Sequence, residues 1–258
     1  MSASHGMLRG ILAIALVLGL GACATKPPAS DPVARAEYER INDPLEPLNR
    51  ATHEFNMTMD RYVMKPIAEV YRFIIPAPIR GLITNFLDNL QSPLILANDL
   101  LQGEFDRAGT TTARFITNTT VGVGGLFDVA SDLGMEKHKE DFGETLAVWG
   151  VGEGFYLVLP FFGPSNPRDF TGLVVEFFAD PVSIYLEDEH GKTVARSRTG
   201  AEIVDFRARN IETFEDLERN TNDLYAAMRS AYRQNRAFRI SNGRESAEED
   251  DLFDQELE

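Results

Sequence analysis

Between residues 82 and 101 the apolar side chains Leu82, Ile83, Phe86, Leu87, Leu90, Leu94, Ala97 and Leu101 recur at intervals of three and four, the period of one helix face. Pro93 falls inside that stripe and predicts a kink or a split. A second helix is expected over 104–119, with Phe105, Ala108, Phe115 and Ile116 on one face. Thr110, Thr111, Thr112, Asn118 and Thr119 form a neutral polar face on it. From 201 to 238, Ile203, Phe206, Phe214, Leu217, Leu224, Met228 and Tyr232 repeat with acids and bases between them, which predicts a solvent-facing amphipathic helix broken near Asn220. From Pro44 onward the pattern is helical, and no strand is expected.

None of these elements is long and apolar enough to cross a bilayer, which takes roughly 20 apolar residues. The run 155–163 (FYLVLPFFG) is too short, and 173–186 is interrupted by Glu176, Asp180 and Pro181. Amphipathic helices of this kind bury their apolar faces against one another or lie in the lipid interface. The pairs Phe161-Phe162, beside Gly163-Pro164, and Phe177-Phe178, beside Asp180-Pro181, put aromatic rings at turns, where core packing is the competing use for any single ring.

The N-terminus sets the compartment. Arg9, the apolar run Ile11–Leu20 and the small pair Gly21-Ala22 form a signal peptide over 1–22. Cys23, the only cysteine, follows at once, in an order that resembles a bacterial lipobox. Such a cysteine is acylated (palmitate-type chains) and becomes the first residue of the mature protein, and several chains anchor far better than one. Ala24 rather than Asp at the next position favours the outer membrane. Residues 23–39 then read as lipidated cysteine and flexible tether, rich in Pro and Ala, and 40–243 as the folded body. The tail 244–258 holds eight acids from Glu245 onward, no base after Arg244, and is expected to be disordered.

Several classes of chemistry are disfavoured. A net charge of -15, without a basic block, argues against nucleic acid. One cysteine excludes an intrachain disulfide or a Cys-based cluster. No cofactor is expected, and no metal, because His53, His138 and His190 are widely spaced and form no ligand pair. Gly122, Gly124 and Gly125, and then Gly150, Gly152 and Gly154, lack the spacing of a phosphate loop. There is no G-x-S-x-G elbow, so an enzyme is not expected. The glycines bracket the apolar segment between Trp149 and Asp169, which predicts a flap hinged at Gly150, Gly152 and Gly154 and carrying Phe161 and Phe162. Helix caps and tight turns are the alternative use of those glycines.

A series of ordered motifs narrows this further. N-D-P-L-E-P-L-N-R at 42–50, H-E-F-N at 53–56, N-F-L-D-N-L at 85–90 and L-L-Q-G at 100–103 are followed by R-F-I-T-N-T-T-V-G-V-G-G-L-F-D-V-A at 114–130. D-F-G-E-T-L at 141–146 and W-G-V-G-E-G-F-Y-L-V-L-P-F-F-G-P-S-N-P-R-D at 149–169 complete the set. From about 40 to 243 the chain resembles the MlaA (VacJ) family of phospholipid-binding outer-membrane lipoproteins. The resemblance implies a mainly α fold, a ring of amphipathic helices lying in one membrane leaflet around a central amphipathic channel, beside a trimeric porin. It implies removal of mislocalised phospholipid from the outer leaflet and its transfer to a periplasmic carrier, which maintains lipid asymmetry. Within that frame Asn85, Asn89, Thr112 and Asn118 are expected on the headgroup side of the channel, offering hydrogen bonds without fixed charge. A structural adaptor that tethers outer-membrane proteins without moving lipid, and a lipid hydrolase, are the competing classes.

Overall fold

The computed structural model describes residues 41–244, together with Pro27, Ser30, Asp31, Arg35, Ala36 and Tyr38. The signal peptide, Cys23 and the acidic run from Glu245 lie outside the described residues. Its contacts divide the chain into two compact units, one of the residues up to Met59 with Gly154–Pro167, the other of Asp60–Glu153 with Arg168 onward.

The first unit is helix α1 (Glu46–Met59) and a hairpin of β1 (Leu157–Leu159) and β2 (Gly163–Ser165). The strands are antiparallel, with Leu157 opposite Ser165 and Leu159 opposite Gly163. Strand was not expected here. Three asparagines at seven-residue intervals explain it, because each side-chain amide imitates a peptide group and offers the hairpin's backbone a neighbour. Asn42 Nδ2 donates to the Gly154 carbonyl and its own carbonyl accepts the Tyr156 N–H. Asn49 donates to the Tyr156 carbonyl at 3.0 Å and accepts the Val158 N–H at 2.9 Å. Asn56 donates to the Leu159 carbonyl and accepts the Phe161 N–H at 2.8 Å. A peptide group left unpaired on burial is destabilising, so these amides determine where the segment lies. Phe55 adds an edge-on contact to Phe161, ring centroids 5.4 Å apart.

The second unit opens with a π-helical turn, Asp60–Met64, and continues through α2 (Lys65–Ile74), α3 (Ala77–Gln102), α4 (Phe105–Thr120), α5 (Val129–Asp132) and α6 (Phe142–Val148). After the hairpin come α7 (Pro167–Ala179), α8 (Pro181–His190), α9 (Lys192–Arg209), α10 (Ile211–Asn220) and α11 (Leu224–Ile240). Helix α3 runs unbroken through Pro93, contrary to a split there. The expected break at Asn220 is present, and a second falls at Asn210, so the single long helix expected over 201–238 is three. Prolines start α2, α3 and α8, where the missing N–H is not needed. Asp141 and Glu144 form a reciprocal capping box on α6.

The packing is inverted relative to a water-soluble protein. The largest fully buried side chains are Glu144, Asn49, Asn98, Thr145, Asp43, Asp99 and Asp205, all polar, while buried apolar residues such as Leu87, Val158 and Ile211 are few and one cluster of them joins Ala68, Ala208 and Ile211 with Tyr71 against it. Phe73, Tyr62, Phe105, Phe161, Phe162, Phe177 and Phe178 are exposed. The apolar stripes point largely outward: on α4 Phe105 and Ile116 are exposed while Thr111, Arg114 and Asn118 are buried. On α9 Ile203 and Phe206 are exposed, and Asp205 and Arg207 are buried. Asp205 accepts the Thr84 hydroxyl at 2.9 Å and the Tyr71 hydroxyl at 3.2 Å, and Arg207 clamps Asp60 through two nitrogens at 2.6 and 2.8 Å. Burial and the Asp205 charge push the Tyr71 phenol up to about 12. Such groups are buried only in pairs, since an isolated charge in a low dielectric is strongly unfavourable. No helix among the described residues is long and apolar enough to cross a membrane.

Candidate functional site

Both cavities described here lie within the second unit. The smaller, about 40 Å³, is lined by Asn85, Asn89 and Asn118, three of the four expected polar residues, and it holds water-sized guests. Asn85 donates to the Leu126 carbonyl at 3.2 Å. Asn89 donates to the Thr119 hydroxyl at 3.0 Å, and its carbonyl oxygen is buried without a hydrogen-bond partner among the described residues. Asn118 donates to Asp128 and accepts the Ala130 N–H, each at 2.9 Å. Thr112 is not part of this wall. Its hydroxyl donates to the Ala108 carbonyl of its own helix, and the neighbouring Thr111 lines the cavity instead.

The wall of this cavity carries fixed charge as well as the neutral amides. Arg114, buried on α4, donates to both oxygens of Asp128 at 2.8 and 3.0 Å. Burial alone would raise the Asp128 carboxyl, but hydrogen bonds from Ser131, Asn118 and Arg114, with the Arg114 charge, outweigh it and hold it at about 2. Asp88, Lys137 and His138 also face the cavity. Charge is tolerated because each is matched: Lys137 pairs with Asp88, and His138 Nε2 lies 3.0 Å from Asp99. His138, Asp99 and Glu140 converge like a ligand set, their nearest atoms within 4.8 Å of one another. Their carboxylates already accept protein donors, Thr111 on Asp99 at 2.6 Å and Arg107 on Glu140 at 2.6 Å.

The larger cavity, about 680 Å³, lies among α3, residues 139–141, the end of α7, α8 and α9. Leu94, Phe177, Phe178 and Ile184 supply an apolar side; Lys139, Glu176, Glu187 and Arg196 are among the polar groups. Phe177 and Phe178 meet edge-on at 5.2 Å and are both largely exposed. Glu176 accepts the Phe142 N–H at 2.6 Å and lies 3.4 Å from Asn98; burial, helped by the Asp141 charge, nevertheless pushes it up to about 7. None of the expected site residues lines this cavity. The one signal was the Phe177-Phe178 pair beside Asp180-Pro181, since helix periodicity marks faces and says nothing of where four separate elements converge.

The expected hinge residues separate. Gly150 ends α6 with φ +88, its N–H bonded to the Ala147 carbonyl and the Val151 N–H to Leu146, a left-handed helix cap. Gly152 has no such φ, and a side chain there would meet nothing within 4 Å. Gly154 (φ +74) begins the hairpin segment, packed on Pro167. Phe161, with φ +69, and Phe162 stand exposed at the tip of the β-hairpin that this apolar segment forms.

With many buried polar groups, many exposed apolar rings and, among the described residues, no helix long and apolar enough to cross a membrane, the second unit is a helical protein of an amphipathic kind. Residues 41–239 match the family model described as MlaA lipoprotein. Over 208 residues the chain is 36% identical to the intermembrane phospholipid transport system lipoprotein MlaA of Haemophilus influenzae, covering 79% of this chain and 81% of that one. Against the protein of the same name in Escherichia coli K12 the identity is 34%, covering 79% and 80%. An uncharacterized Rickettsia typhi protein is 36% identical over 199 residues, covering 76% and 77%. A solved structure, from work on the structural basis for maintenance of bacterial outer membrane lipid asymmetry, matches with a TM-score of 0.67 at 33% identity, covering 77% of this chain and 98% of that one. The chain belongs to the MlaA lipoprotein family.

Proposed function

We propose that this protein is an outer-membrane lipoprotein of intermembrane phospholipid transport, which removes mislocalised phospholipid from the outer leaflet, passes it to a periplasmic carrier and so maintains lipid asymmetry. The observation that carries the reading is a cavity of about 680 Å³ with an apolar side and a charged side, in a helical unit whose exterior is itself apolar. A phospholipid leaving a bilayer needs both surfaces at once, because its acyl chains are costly in water and its headgroup is costly in hydrocarbon. The relatives named for intermembrane phospholipid transport support the same assignment.

In this reading the acylated Cys23 and the tether over 23–39 hold the body, 40–243, at the periplasmic face. The helices form a ring in one leaflet around the channel, with a trimeric porin beside it. Asn85, Asn89 and Asn118 serve the polar side of the passage, with Thr112 behind them. Transfer needs no covalent step, so neither an enzyme's nucleophile nor a cofactor enters it. The test is to purify the acylated protein in mild detergent and identify co-extracted lipid by mass spectrometry. Intact phospholipid is expected; lysolipid or free fatty acid would point to hydrolysis, and a protein free of lipid would leave a tethering role.

The gate at Gly150, Gly152, Gly154, Phe161 and Phe162 is part of this proposal, and the two proline substitutions now differ in what they report. Gly150→Pro requires φ near −65° where the chain has +88°, so folded protein should fall sharply and activity with it. Gly152→Pro meets neither a left-handed φ nor a close neighbour, so abundance should stay near wild type. If Gly152 is the pivot, outer-leaflet phospholipid in cells carrying Gly152→Pro rises several-fold as transport stalls. Wild-type lipid levels in both leaflets with normal abundance would remove the gate from this reading.

A further inference from the structure

The larger cavity collects the cations that the fold leaves unused. Among the described residues from 41 to 244, only Lys139, Lys192 and Arg196 have no hydrogen bond, ion pair or ring contact among the lysines and arginines, and all three line this one cavity. The other cations on its wall are committed: Arg198 to Asp180 at 2.6 Å and Glu202 at 3.0 Å, Arg239 to Glu144 at 2.7 Å. Of the acids there, Glu140 is held by Arg107, and Glu187 alone is unpaired, so the uncommitted charge is positive in a chain of net charge -15.

Their placement is unfavourable without an anion. Lys192 and Arg196 stand one turn apart on α9, where like charges repel. Burial, and then the nearby Arg209, Lys137 and Arg239 charges, hold the Lys139 ammonium below the ordinary lysine value against the pull of Asp88. On the wall of the same cavity, Phe177, Phe178 and Ile184 offer apolar surface left exposed among the described residues.

Resting on the phospholipid-transport reading, we infer that Lys139, Lys192 and Arg196 form an anion subsite that takes the phosphodiester of a glycerophospholipid, its acyl chains lying against Phe177, Phe178 and Ile184. Charge-assisted hydrogen bonds from three cations hold the phosphate, and the apolar side carries the part of the molecule that a free phosphate lacks. Because these cations form no hydrogen bond or ion pair among the described residues, removing them should leave the fold intact.

The experiment uses the full acylated protein in detergent micelles, with native mass spectrometry to count bound ligand. Phosphatidylglycerol, diacylglycerol with the same acyl chains, and inorganic phosphate are offered separately to wild type and to the Lys139→Gln/Arg196→Gln double variant. Wild type should hold phosphatidylglycerol about tenfold more tightly than diacylglycerol, and the variant should lose about that factor for phosphatidylglycerol alone, with its thermal midpoint unchanged. A variant that holds phosphatidylglycerol as wild type does overturns the subsite while leaving the transport reading in place. Inorganic phosphate held as tightly as phosphatidylglycerol identifies a free-anion site and overturns the lipid assignment. A wild-type protein that binds neither lipid counts against the transport reading itself.

Discussion

Arg236→Met is expected to leave little folded protein, the largest loss of stability available to a single substitution in this chain. Arg236 is 8% exposed and ties the start of α6 to the start of α7. Its guanidinium donates to Asp141 at 2.7 Å and to Glu144 at 2.9 Å, and its Nε lies 2.8 Å from Asp169, which also accepts the Tyr232 hydroxyl. The space is made by Gly143, where a Cβ would come within 2.4 Å of Arg236 Nη2, so the D-F-G-E motif is a seat for this arginine. Burial opposes charge on Asp141 and Glu144. It pushes Glu144 up to about 8, with the Asp141 charge adding to it, while the hydrogen bond from Arg236 overcomes burial at Asp141 and keeps that carboxyl low. Methionine fills the volume but leaves only Arg239 to offset the Asp141 and Glu144 acids and Arg168 to offset Asp169, a loss of up to about 3–5 kcal/mol. Urea unfolding of the purified domain measures it. Arg236→Lys, which keeps the charge and loses the fork, should recover part of the midpoint, and an unchanged midpoint for Arg236→Met would show that the network is dispensable.

Cys23→Ser is expected to have the largest effect on location. A serine hydroxyl is not the thiol that the lipobox reaction acylates, so the protein keeps only whatever interfacial burial its body supplies. Each acyl CH₂ contributes roughly 0.8 kcal/mol on entering lipid, and two or three chains make anchoring effectively permanent where none makes it marginal. Membrane fractionation and mass spectrometry of the N-terminus should find the variant unacylated and largely lost from the outer membrane, with outer-leaflet phospholipid raised. An unacylated Cys23→Ser protein that fractionates with the outer membrane as wild type does would show that the exposed rings, such as Phe73 and Phe105, suffice to hold it.

Much of the helical order was legible because it is local. The three- and four-residue spacing of Leu82–Leu101 marks α3 to within a few residues. The hairpin was not legible, because its strands are three residues each and owe their place to Asn42, Asn49 and Asn56, over a hundred positions away in the chain. Nor was the break at Asn210, where the amphipathic stripe continues across the turn.

By itself, the sequence determined that the chain is helical, that none of its apolar runs is long enough to span, and that its one cysteine directly follows a short apolar N-terminal run; these are properties of spacing and length. Which face turns inward was decided only by the tertiary structure. A stripe such as Phe206 beside Asp205 and Arg207 has the same period whether it faces a core or lipid. The choice belongs to the partners that bury the charges, Asp60 for Arg207 and Thr84 for Asp205, and no local pattern names them. The gathering of Lys139, Lys192 and Arg196 beside Phe177 and Phe178 is of the same kind. Charges far apart in the chain become a site only when packing holds them around one space, because electrostatic attraction acts through distance in the fold and not along the sequence.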